Sequence, residues 1–364
     1  MKRVAVFGLA LEREIRLGSY VLYPVGKSIA WSGCATVGRR LLTHGFSGIL
    51  RSRLVLEARG VDELYRERDA QYLRNCEQLL REIEGADAVV FFTYPFLHPE
   101  ILAARRGSRK FIMGFVDDPH STYVRGLPYV WAYDGAFYIS PSYSADSSFD
   151  ELLRRAGVRR RFWLPLVQPV PIPSLSYEDI LKREAGVCYV GNPTFTKVER
   201  LARVKRALGD DFTVHGRWPF GGYAGFLRVL VGERGYYRRV HAIEPADKRE
   251  LYLRTKIALN MHVSDVPSEC GNMRTYEAAS HGMLLLCDRG ASNLQTQILR
   301  ENEEAIYYDD IGDAIAKACK FLGDDERRAE IAYRGYLRAK EQYTFETVWQ
   351  SLCSWIFAAD AEAR

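Results

Sequence analysis

Four prolines, Pro165, Pro169, Pro171 and Pro173, fall within residues 164–173. Proline fixes φ and offers no N–H, so so dense a run cannot belong to a helix or an inner strand. It reads as a stiff linker. The linker cuts a chain of 364 residues near its middle, and each side is of single-domain size. On both sides short apolar runs alternate with helix-like stretches. Before the linker, residues 4–9, 88–92 and 111–116 read as buried strands, 34–42 as a helix, and 62–84 as one long amphipathic helix stopped by Gly85. After it, residues 187–191, 212–216, 257–261 and 283–287 are strand-like and 197–208 helical. Continuous apolar strands alternating with helices make parallel sheets covered on both faces. The expected fold is α/β: two Rossmann-like lobes, residues 1–168 and 169–344, and a last aromatic-rich helix, 345–364, crossing back to the first lobe. Two such sheets facing a central cleft would hold a ligand at the carboxyl ends of their strands.

Composition excludes several classes. With 47% hydrophobic and 27% charged residues, the chain is not intrinsically disordered. No apolar run reaches the ~18 residues of a membrane-spanning helix. Met1-Lys2-Arg3 precedes an apolar stretch, but that stretch is short and meets Glu12, Arg13 and Glu14 at once, so a buried strand is expected rather than a secretion signal. Seven cysteines without a C-x-x-C pair suggest neither a disulfide framework nor a zinc site, and a reducing cytoplasm is the expected location. Residues 1–170 hold 24 of the 51 Lys and Arg and 18 of the 46 Asp and Glu, leaving 27 against 28 in the remainder. The positive excess therefore sits in the first half. It points either to a polyanionic partner there or to an ordinary solvated surface.

The chemistry concentrates in residues 269–286. Glu269 and Glu277, with seven residues between them that include Gly271, lead into a helix, which is followed by small residues, Gly282 and an apolar strand. Gly271 lets backbone approach a ligand closely. Asn272, Arg274 and Thr275 lie where the helix starts, so free N–H groups and the helix dipole would receive a diphosphate. Arg274 would add a cation. A carboxylate at Glu277, one turn further in, can accept both vicinal hydroxyls of a ribose, and Glu269 on the preceding loop can reach hydroxyls of a sugar. Neither a G-x-G-x-x-G string nor a P-loop is present, which argues against a dehydrogenase or a P-loop nucleotidase.

The second half resembles retaining glycosyltransferases of the GT-B type, in particular the branch that includes spore maturation protein CgeB. The resemblance runs through Val187, Val190, Gly191 and Asn192, then Leu251-Tyr252 and 257–260, then Asn272, Arg274, Glu277 and Ala278, and on through 307–310, Ile331-Ala332, Gly335 and 343–345. In the first half 115–119 and 162–166 carry it more weakly. It implies a nucleoside-diphosphate sugar, UDP- or GDP-linked, as co-substrate and no other cofactor. Glu277 would hold the ribose, Glu269 the sugar, and backbone near Ile243 the nucleobase. Gly191 and Asn192 would line the site, and Lys197 and Arg200 are the candidates for the basic pair that neutralises the leaving diphosphate. Their spacing departs from the usual pattern. In many relatives a histidine follows the third strand of the first lobe. Here Asp117 stands in that place, to face the sugar or the acceptor hydroxyl, with an Asx turn before Pro119 as the structural alternative. No divalent metal is implied, because cations and a helix N-terminus serve instead.

The reading is transfer of a hexose-type unit to an acceptor hydroxyl with retention. The acceptor would be a glycan or a small molecule, or, through the basic first lobe, DNA or an anionic membrane-associated molecule. A DNA-modifying glycosyltransferase, an NDP-sugar 2-epimerase and a non-catalytic sugar-nucleotide-binding protein are the alternatives.

Overall fold

The apolar run that opens the chain is an inner strand of a seven-stranded sheet, and Val4, Ala5 and Val6 are wholly buried in it. The computed structural model describes residues 1–29, 58–105, 107, 109–116, 122–139, 142–144, 147–191, 195–216, 242–262, 271–289 and 295–358. They divide into two units, Met1–Leu164 with Glu346–Arg364, and Pro165–Phe345.

The first unit runs β1 (Lys2–Phe7), β2 (Ile15–Leu17), β3 (Tyr20–Val25), α1 (Ala58–Arg66), α2 (Ala70–Glu82), β4 (Ala88–Phe91), α3 (Pro99–Ala103), β5 (Lys110–Phe115), β6 (Gly135–Tyr138), β7 (Ser142–Ser144), β8 (Ser147–Ser148), α4 (Phe149–Arg155) and β9 (Arg161–Trp163). The sheet order is β2-β3-β1-β4-β5-β6-β9, parallel except for β2. The helix expected over 62–84 is two helices. Arg68 takes a left-handed φ of 53°, and Asp69 caps the second helix by accepting from Tyr72 N–H at 2.9 Å. An aspartate at this position competes for the backbone and starts a new helix. The hairpin β2–β3 was not among the strands read from sequence, and Pro24 in β3 would ordinarily argue against a strand. It fits because β2 pairs with β3 only as far as Leu22, so Pro24 meets no partner on that side. Phe91 packs with Phe7, Phe111 and Tyr133 on one face of the sheet, and Phe92 with Phe137 and Trp349 on the other.

The second unit runs α5 (Tyr177–Leu181), β10 (Ala185–Val190), α6 (Phe195–Leu208), β11 (Phe212–His215), α7 (Pro245–Arg254), β12 (Thr255–Asn260), α8 (Met273–Ser280), β13 (Leu284–Asp288), α9 (Gln295–Ile298), β14 (Ile306–Tyr308), α10 (Ile311–Leu322) and α11 (Asp325–Gln342). Its five strands are all parallel, in the order β11-β10-β12-β13-β14. α11 packs on α8, α5 and β13, and α6 on α10. The last helix, α12 (Phe345–Phe357), belongs almost entirely to the first unit. There Trp355 packs on Phe162 and Phe357 stacks on Tyr20. Among the described residues no helix is long and apolar enough to cross a membrane.

Candidate active site

In the second unit the chain order of the strands across the sheet is 2-1-3-4-5, so the connections reverse direction between β10 and β12. A sheet of this kind binds ligands outside the carboxyl ends of its strands at that reversal. Gly191 follows β10 there, and Asn260, Met261 and His262 end β12. α8 begins at the same edge. Its N-cap is Asn272, whose Oδ1 accepts from Arg274 N–H at 3.1 Å. Asn260 and Asn272 exchange amide hydrogen bonds in both directions, each at 3.0 Å. Asn260 also donates to the buried Thr275 hydroxyl at 3.1 Å. Gly271 has φ +66°, and a Cβ there would press on Ile298 and the Tyr276 hydroxyl.

Arg274 lies in the reversal itself. Its Nη1 donates to Val190 O at 3.2 Å and to the Tyr189 hydroxyl at 3.3 Å, its Nη2 to Met261 O at 3.0 Å and its Nε to Asn260 Oδ1 at 2.9 Å. It thus ties the ends of β10 and β12 together, with its guanidinium over the Tyr189 ring. Four of these contacts use most of the five donors an arginine has, while its charge stays at the ligand edge. The approach explains Gly191: a Cβ at that residue would overlap Arg274 Nη1.

Beside this edge a cavity of about 500 Å³ opens, lined by Gln168, Ile243, Lys248, Tyr252, Glu277 and Phe345 among others. Glu277 is its buried carboxylate. Lys248 Nζ donates to Oε1 at 2.6 Å and the Tyr252 hydroxyl to Oε2 at 3.3 Å. Burial, with the adjacent Glu277 carboxylate, pushes the Tyr252 phenol well up, so it stays a donor. Both walls of the cavity share one buried cation. Arg183 donates to the carbonyls of Tyr252 (3.1 Å) and Thr255 (2.8 Å) at the end of α7, and to His281 O at the end of α8. These helix ends would otherwise leave carbonyls orphaned. Burial and the neighbouring Arg328 lower the Arg183 guanidinium to about 10, still a cation at neutral pH.

Of the other residues singled out from sequence, Lys197 is buried and Arg200 half-buried near the start of α6, the helix that follows β10. Asp117, Asn192 and Glu269 lie outside the described residues. Lys248 and the Asn260 and Arg183 networks were missed. The cue for Lys248 was its i, i+4 spacing from Tyr252, which puts both on one face of α7. Also missed was a cluster at the ends of β12 and β13: His262, Asp288, Cys287 and Gln295. His262, Cys287 and Asp288 bring ligand atoms within 4.8 Å of one another, as a metal site would. In the first unit four of the five arginines at 154–161 are engaged within that unit, and Arg159 is exposed. Arg154 and Arg155 hold Glu151, Arg161 holds Asp150, and Arg160 donates to the carbonyls of Trp355 and Ile356.

The parallel sheets and strand orders define the class: this is the GT-B fold of glycosyltransferases. HepE from Anabaena, crystallised with UDP and glucose, matches with a TM-score of 0.59 at 12% identity, over 80% of this chain and 82% of that one. Sucrose-phosphate synthase from Thermosynechococcus elongatus matches with 0.56 at 11% identity, over 97% and 98%. An α-glucosyltransferase in complex with UDP-glucose and DNA containing an abasic site matches with 0.57 at 9% identity, over 78% and 83%. At the level of sequence, residues 197–354 match the family described as Glycosyl transferase-like. Comparison with curated proteins gives no match.

Proposed function

We propose that the chain transfers a hexose-type sugar from a UDP-linked donor to an acceptor hydroxyl, with retention of anomeric configuration and without a divalent metal. The observation that carries this reading is the cavity beside the strand reversal, with the Glu277 carboxylate buried in its wall. An ionised carboxylate offers about four lone-pair positions. Lys248 and Tyr252 take two, which leaves capacity for the two hydroxyls of a ribose. Ile243 lies in the same lining, where its backbone would meet the base. HepE and the α-glucosyltransferase are structures with UDP or UDP-glucose, which supports uridine as the base.

The diphosphate would lie at the N-terminus of α8, near the Arg274 charge, with Lys197 and Arg200 as further cations. These groups do the work that a metal does elsewhere. In the transfer, the bond from the anomeric carbon to the β-phosphate oxygen breaks and a bond to the acceptor oxygen forms. The acceptor's proton passes to the departing diphosphate oxygen, and the protein mainly positions the reactants and stabilises charge. The acceptor is a glycan or small molecule: part of the positive excess of the first half is taken up by internal partners, as at Arg160 and Arg161.

A thermal-shift panel of UDP, GDP, UDP-glucose, UDP-N-acetylglucosamine and GDP-mannose tests the donor. Stabilisation by uridine compounds alone is expected, and stabilisation by none of the five would overturn the reading. NMR of the product with the stabilising sugar tests retention, and an inverted anomeric centre would refute it.

A further inference from the structure

Gly282, at φ +67°, ends α8 and leaves His281 as its C-cap. Three neighbours fix the residue there. Arg183 donates to its carbonyl, the Tyr252 ring meets the imidazole edge-on with centroids 5.3 Å apart, and Nδ1 stands 2.9 Å from Glu277 O. A carbonyl oxygen has no proton to give, so a contact of that length puts the proton on Nδ1. The Ser280 hydroxyl, 3.1 Å from Nδ1, gives its own proton to the same carbonyl at 3.0 Å. Burial lowers the imidazole from its ordinary value, against the pull of Glu277, so the ring is neutral at pH 7 and Nε2 is a bare lone pair. His281 lines the cavity beside Glu277, and Nε2 has no hydrogen-bond partner among the described residues.

α8 acts as a ruler along the cavity. Its N-terminus at Asn272 is the diphosphate end, Glu277 follows, and His281 stands one turn further, about 6 Å on and over the same face. A nucleoside diphosphate is laid out in that order: diphosphate, ribose, base. With the ribose on Glu277, the base falls at the His281 end of the cavity, which Ile243 also lines. An acceptor there needs a donor from the base. Uracil has one ring N–H, between its two carbonyls. Cytosine carries a lone pair at the same ring position, and two lone pairs facing each other with no proton between them leave both groups unsatisfied.

We propose that His281 reads the base of the donor, its Nε2 accepting the ring N–H of uracil and turning cytosine away. This rests on the sugar-nucleotide reading above. Calorimetry on the full chain with UDP and CDP tests it. Wild type is expected to bind UDP roughly 10- to 100-fold more tightly than CDP. His281→Phe keeps an aromatic edge against Tyr252 but has no lone pair, and it should bring the two ligands within about threefold of each other by weakening UDP. A purely structural role would weaken both alike. A second readout needs no variant. In wild-type protein with ¹⁵N-labelled histidine, saturating UDP should move the Nε2 resonance of His281 and saturating CDP should not. Equal wild-type affinity for UDP and CDP, GDP bound in place of UDP, an equal loss for both ligands in the variant, an undiminished preference for UDP there, or an unmoved resonance overturns the proposal while leaving the sugar-nucleotide reading intact. Wild-type protein that binds none of UDP, UDP-glucose, GDP and GDP-mannose removes that reading and this proposal with it.

Discussion

Replacing Glu277 with alanine removes the one buried carboxylate that the described residues bring to the cavity wall and leaves Lys248 and Tyr252 in place. The loss can be sized from the contacts. In the free protein Lys248 and Tyr252 take one position each on the carboxylate, so ribose hydroxyls add to the set instead of displacing it. A hydrogen bond to a charged acceptor is worth about 1.5–3 kcal/mol. Two of them do not sum fully here, because the Lys248 ammonium already draws on the same charge. A total of about 1.5–3 kcal/mol, or roughly 10- to 150-fold in Kd, is expected for UDP. Calorimetry with UDP and 2′,3′-dideoxy-UDP against wild type and Glu277→Ala forms a double-mutant cycle. The dideoxy ligand should bind both proteins about equally, so that the coupling recovers the whole loss. If UDP binds the variant as tightly as wild type, or the dideoxy penalty is the same in both proteins, the carboxylate does not hold the ribose.

Transferase activity should persist in EDTA, and its loss with rescue by Mn²⁺ or Mg²⁺ would show that a metal replaces the proposed cations. Gly191→Ala should displace Arg274 from the ends of β10 and β12, because the new methyl overlaps its guanidinium. Overpacking of this kind costs about 1–3 kcal/mol, read as a lower Tm together with weaker UDP binding; unchanged values of both would refute the contact. Arg183→Met should orphan three carbonyls at the ends of α7 and α8. A cost of about 2–4 kcal/mol is expected, or a Tm lower by roughly 5–10 °C for a unit of this size. Circular-dichroism melting checks it, and an unchanged Tm would mean that water satisfies those carbonyls.

The parallel architecture was legible because most inner strands are short continuous apolar runs: residues 88–92 and 283–287 read as strands and are strands. β6 and β9 escaped notice. Gly135–Tyr138 is four residues long with little to mark its ends, and Arg161–Trp163 is a partly exposed edge strand. The break at Arg68 escaped because the apolar positions on either side, Leu64 and Tyr65 then Tyr72 and Leu73, stay in helical phase across the charged stretch 66–69, and a single capping aspartate carries little weight against them. Near the candidate site, the start of α8 at Asn272 was readable from local signals. The partners of Glu277 were not. Lys248 lies 29 residues away, and only the packing of α7 against α8 brings the two together. The same holds for His262 and Asp288, each polar and each just at a strand end. Only the register that pairs Asn260 with Cys287 makes them neighbours.

The contact between Gly191 and Arg274 limits how either position can change. The long side chain at 274 occupies the room that any side chain at 191 would need, so neither position is free to drift alone. A larger residue at 191 becomes tolerable only after 274 has been shortened, and that order of events passes through a protein whose β10 and β12 ends are no longer tied. Enlarging 191 first is harder still, since it makes a clash where shortening 274 first leaves only a void. Homologous chains should therefore pair glycine with arginine, or a larger residue with a smaller one, and the mixed combination of a bulky 191 with arginine at 274 should be rare.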